Sequence, residues 1–98
     1  MGLPARAQQL LERASSVLPI SDEDLVYKGI AAGVSERILA LKKAGARLQS
    51  QYGSLDELEH KRQTEGVSPD DHTLHTDFLE WRAINHELAE LLRLIEDL

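Results

Sequence analysis

Apolar residues along this chain recur at intervals of three and four almost from end to end, the spacing of an amphipathic α-helix. Leu3, Ala7, Leu10, Leu11, Ala14, Val17 and Leu18 predict a first helix over 3–18, which Pro19 stops. Ser21-Asp22-Glu23-Asp24 follows as an N-cap with three acids in the first turn, where carboxylates face the positive end of the helix dipole. Val26, Ile30, Val34, Ile38, Leu41, Leu48 and Tyr52 then predict a long helix over 22–52, with Gly45 in the empty slot between Leu41 and Leu48. From Ile38 to Tyr52 the spacing is that of a coiled-coil seam.

Gly33 admits two readings, a turn or a point inside one continuous helix. The stripe keeps phase across it, which favours the continuous helix at a cost of roughly 1 kcal/mol relative to Ala. Gly29-Ile30-Ala31-Ala32-Gly33 spells GxxxG, but Lys28, Glu36 and Arg37 stand close by. Close packing between helices in water is therefore expected of it, not dimerisation in a membrane.

Gly53 is a C-terminal stop, and Ser54-Leu55-Asp56-Glu57 is a capping box opening a short helix over 55–62 with Leu55 and Leu58 inward. Ser68-Pro69-Asp70-Asp71 reads as a further helix start, beginning a last helix over 69–97. Its stripe runs Leu74, Phe78, Trp81, Asn85, Leu88, Leu92, Ile95, widened by Ile84, Leu91 and Leu98. The two long segments each measure about 45 Å at the rise of an α-helix. Similar lengths joined by a compact connector predict an all-α fold: a long antiparallel helical hairpin, coiled-coil-like, with a short connecting helix and an N-terminal helix in one domain over 1–98. The seam residues are Ile38, Leu41, Leu48 and Tyr52 on one long helix and Asn85, Leu92 and Ile95 on the other.

The last stripe is too wide for a two-helix interior, so part of it is expected to be covered by the N-terminal helix, by a second copy or by another protein, and a homo-oligomer is expected. Asn85 sits at a seam position where a polar residue fixes register; alternatively the stripe veers to Ile84 and leaves Asn85 at the edge.

Composition narrows the chemistry. The chain has 98 residues, no cysteine and 4% aromatic residues, so thiol catalysis, disulfides and cysteine metal sites are absent from it. No apolar run has the length of a membrane span and no leader pattern opens the chain, so a cytoplasmic location without membrane contact is expected. The net charge is −6, unevenly distributed: +2 over residues 1–52 and −8 over 53–98. Such a balance disfavours phosphate-backbone binding, and the one basic cluster, Lys42, Lys43 and Arg47, lacks a recognition motif, so nucleic acid is not an expected partner of the chain alone. Asp71, His72 and His75 are the candidate metal ligands; acids at a helix start explain the aspartates without a metal. No hydrolase elbow or phosphate loop is present, so no enzyme activity, cofactor or metal is expected, a metal-dependent enzyme being the least favoured reading.

An acidic helix bearing aromatics fits a basic protein partner, with Phe78, Trp81 and Leu88 as apolar anchors and Glu80, Glu87 and Glu90 as the rim. Gln51-Tyr52-Gly53-Ser54-Leu55-Asp56-Glu57-Leu58, with Asp70-Asp71-His72 leading to Phe78-Leu79-Glu80-Trp81, resembles small helical proteins of archaea and cyanobacteria. Several of these look like antitoxins of type II toxin–antitoxin pairs. The likeness covers residues 38–98. It implies a non-enzymatic interaction module that masks a small ribonuclease-like toxin. The chain lacks the strand arm of ribbon-helix-helix antitoxins, so operator binding by that route is not implied. A self-associating helical scaffold is the alternative function.

Overall fold

A computed structural model describes residues 2–65 and 72–98. They form four α-helices: α1 (Ala5–Val17), α2 (Asp22–Tyr52), α3 (Leu55–Glu65) and α4 (Thr73–Asp97). The expected all-α hairpin is what the chain forms. Tyr52 of α2 meets Asp77 of α4, Arg47 meets Glu80 and Arg37 meets Glu87, a register that only antiparallel helices produce. No described helix is long and apolar enough to cross a membrane.

Local chemistry sets the ends. The Ser21 hydroxyl accepts from the Asp24 N–H at 3.1 Å, with Asp22, Glu23 and Asp24 in the first turn of α2. At the other end Gly53 takes φ +92°, and its N–H closes the last turn on the Gln49 carbonyl at 2.7 Å. The Ser54 hydroxyl caps α3 by accepting from the Glu57 N–H at 3.0 Å. Two boundaries differ from the pattern. α3 runs on to Glu65, with the Thr64 hydroxyl satisfied inside the helix by the His60 carbonyl, so nothing halts it at Arg62. α4 begins at Thr73, with His72 outside the helical region at φ −106° and ψ 15°; the expected start at Ser68-Pro69-Asp70-Asp71 lies outside the described residues.

α2 is unbroken through Gly33. The close packing expected of its GxxxG is absent: a Cβ at Gly29 or Gly33 would meet nothing within 4 Å. The contact falls instead at Gly45, where a Cβ would lie 3.8 Å from the Ile84 side chain. Gly33 thus costs backbone entropy with no packing return. Gly33→Ala is expected to stabilise the fold by about 1 kcal/mol and raise the thermal midpoint by roughly 4–8 °C. A lower midpoint by circular dichroism would show that the glycine is required for packing.

The core lies at one end. Leu41 and Leu48 of α2, Leu58 of α3, and Phe78, Trp81 and Ile84 of α4 form one buried cluster, with Tyr52, Leu55, Leu74, Leu88 and Leu91 packed around it. Here three helices meet and Leu48 and Leu58 reach 0% exposure. Val34 and Ile38 carry the α2 stripe further along the hairpin and are also buried.

Beyond them the burial fails. Val26, Tyr27 and Ile30 continue the same stripe but are exposed, as are Leu92, Ile95 and Leu98 on α4. α1 makes contacts with α2 and with no other helix. It buries no residue fully, turning Ala7, Leu11, Ala14 and Ser15 partly away from solvent. The result is a rod measuring 61 × 25 × 21 Å, closed by α3 at one end and open at the other.

Candidate interaction surface

The structure divides the residues expected to bind a partner. Phe78 and Trp81 are buried in the hairpin core, and Leu88 is packed against it. They are therefore not presented as anchors. The physical reason is α3: it lays a third helix over the start of α4, where the wide stripe needs cover, and Leu58 fills the space between them. The Arg62 guanidinium of α3 also stacks on the Phe78 ring, 4.4 Å from its centroid. That cation–π contact across α3 and α4 has no helical-period signature in the sequence.

The seam residues divide likewise. Ile38, Leu41 and Leu48 are buried, and Tyr52 is half-buried, all within the chain. Their seam is that of the hairpin itself. On α4 the buried row passes from Trp81 to Ile84, and Asn85 is exposed together with Leu92 and Ile95. An α-helix advances 3.6 residues per turn, so a straight α4 drifts off a seven-residue repeat and turns Ile84 and Leu91 toward α2 in place of Asn85 and Leu92.

The acidic rim is present, and much of it is tied across the hairpin. Arg37 Nε and Nη2 donate to the two carboxylate oxygens of Glu87, the Nη2 bond measuring 2.9 Å. Arg47 Nη2 reaches both Glu80 oxygens at 3.4 Å, and Arg93 Nη1 donates to Glu90 Oε1 at 2.8 Å. Tyr52 donates its phenolic proton to Asp77. The three ion pairs are exposed, and exposed ion pairs each contribute about 0–1 kcal/mol. Hydrogen bonding from Arg37 holds the Glu87 carboxyl below its ordinary value of 4.5 and raises the Arg37 guanidinium in turn, while partial desolvation works against the Glu87 shift.

A carboxyl lowered in the folded state adds stability above its unfolded pKa and loses it as pH falls through its folded pKa. Wild type is therefore expected to lose stability relative to Glu87→Gln on acidification below 4.5, the difference closing once Glu87 is protonated in both states. Parallel denaturant titrations from neutral to acid pH check this; parallel curves throughout would show that the pair adds nothing.

α4 also has an outer face. Leu79 and Leu94 are exposed and stand on one side of the helix with Ala83, Glu87 and Glu90 between them at spacings of four and three. Glu80 and Asp97 border this strip, so it is apolar at both ends with carboxylates along it. Both leucines fall outside the inward stripe, and that displacement was the only trace of them in the sequence.

Nothing in the described residues gathers reactive groups. Among them no three His, Asp or Glu side chains converge as a metal would require. His72 is exposed at the start of α4, His75 is half-buried with no hydrogen-bond partner on Nδ1, and Asp70 and Asp71 lie outside the described residues. A shallow concavity is lined by Arg6, Gln9, Glu12, Arg13 and Ser16, all from one face of α1, with no opposing wall. Lys42 and Lys43 are exposed, and the third residue of that basic cluster, Arg47, is the partner of Glu80.

No family model matches the chain, and neither a curated protein nor a solved structure matches it.

Proposed function

We propose that the chain is a non-enzymatic, antitoxin-like interaction module that masks a basic protein partner, a small ribonuclease-like toxin being the partner the resemblance implies. The carrying observation is the outer face of α4, an exposed strip with Leu79 and Leu94 at its ends, Glu90 between them and Glu80 and Asp97 at its border. Carboxylates on a rigid helix accelerate the encounter with a basic surface, and exposed leucines supply contact once water is expelled. In this reading Phe78 and Trp81 act indirectly: they hold α4 straight against α2 and α3, and Leu79 and Leu94 take the anchoring role.

Co-expression with the product of the adjacent gene tests the proposal. The expected result is a stable complex in which the partner's ribonuclease activity is suppressed. In the Glu90→Lys, Asp97→Lys variant, association should slow about tenfold at low salt with little change in dissociation. Failure of the pair to associate would overturn the antitoxin-like reading. Association indifferent to both charge reversals would move the interface off α4.

A further inference from the structure

We infer that the open end of the rod is closed by a second copy of the chain, each copy laying its α1 across the α4 tail of the other. This goes beyond masking of a foreign partner and uses a different face of α4.

The first support is area. The chain exposes 7326 Å², whereas a compact folded monomer of 11.0 kDa exposes about 5,600 Å². Its Cα radius of gyration is 20.1 Å, against about 13 Å for a compact chain of 98 residues. The excess of roughly 1,700 Å² falls in the range that one subunit hides in a large obligate homodimer.

Charge and topology supply the second. Leu3, just ahead of α1, and Leu10 and Val17 within it recur every seven residues and are all exposed, Val17 at 81%. Arg6 and Arg13 flank that row. On α4, Leu92 and Ile95 form an exposed row in the last turns, with Glu96 beside it. One row is bordered by the two cations Arg6 and Arg13 and the other by the carboxylate of Glu96. Within one chain the two never meet, because α1 makes no contact with α4. A two-fold axis satisfies both rows twice, since each copy offers one basic-rimmed and one acid-rimmed strip. Asn85, exposed two turns before Leu92 on the same flank, comes to lie at the edge of the shared core, where a polar residue restricts register.

The purified chain alone suffices for the test, so its outcome is independent of any foreign partner. Light scattering at micromolar concentration is expected to give twice the chain mass. Arg6→Glu with Arg13→Glu, and separately Glu96→Lys, should each shift the protein toward monomer while far-ultraviolet circular dichroism stays helical. Mixing the two variants in equal amounts should restore the dimer, because each repaired contact then pairs one chain with the other. The chain has no cysteine, so Leu10→Cys on one chain and Leu92→Cys on another are its only thiols. A short bis-maleimide should join them into a species of twice the mass. A monomeric wild type, a dimer indifferent to both charge reversals, or no restoration on mixing would overturn the inference. A Leu10→Cys, Leu92→Cys double variant that cross-links only within itself would overturn it as well, placing α1 over its own α4.

Discussion

Trp81→Ala is expected to destabilise the chain by about 3–5 kcal/mol, the range for removing a buried large aromatic. Trp81 is 8% exposed and joins the cluster of Leu41, Leu48, Leu58, Phe78 and Ile84, where α2, α3 and α4 meet. Its loss leaves a void that no neighbouring element can fill, because the rod is only two to three helices thick. Small domains have little stability to spare, so the variant should be largely unfolded near physiological temperature. Chemical denaturation with circular dichroism gives the number. The same experiment separates core from docking surface: an exposed anchor lost from Trp81 would leave the midpoint unmoved and weaken only partner binding. Trp81→Phe, which retains much of the apolar volume, should recover most of the loss.

Leu58→Ala is expected to cost about 3–5 kcal/mol, toward the upper part of the range for a buried leucine. Leu58 has 0% exposure and is the residue through which the short helix α3 is fixed to the core. α3 has 11 residues, too few to hold itself helical in water, so its helicity depends on this packing. Truncation should therefore free α3 as well as create a cavity. Hydrogen exchange should show α3 amides losing protection ahead of those near Leu48, and the Arg62 stacking on Phe78 should be lost with them. If α3 amides remain as protected as those of the α2 core, the helix is held by contacts other than Leu58.

These two sites mark where helical periodicity was a reliable guide and where it was not. Ile38, Leu41, Leu48, Phe78, Trp81 and Ile84 are buried because the three-and-four spacing puts them on one face of a helix, and that spacing is a property of the chain alone. Caps at Ser21 and Ser54 and the stop at Gly53 are equally local: a hydroxyl near a free N–H, and a residue without Cβ at positive φ, act within four residues of themselves. So helix class, three of the four helices to within a few residues, and the antiparallel hairpin follow from sequence.

The allocation of the faces does not. Whether Phe78 and Trp81 meet a partner or a core depends on α3 folding back over them, an event set by the turn at Gly53 and the burial of Leu58. Whether Glu80 and Glu87 stand free depends on the rotation of α2, which brings Arg47 and Arg37 to them across the hairpin. The same rotation puts Ile84 against Gly45 and leaves Asn85 outside, a difference of 100° that a heptad pattern blurs because 3.6 does not divide seven evenly. Side-chain spacing along a helix fixes which residues share a face; which neighbour covers that face is decided by contacts between residues 25 to 50 positions apart, and only tertiary structure brings those together.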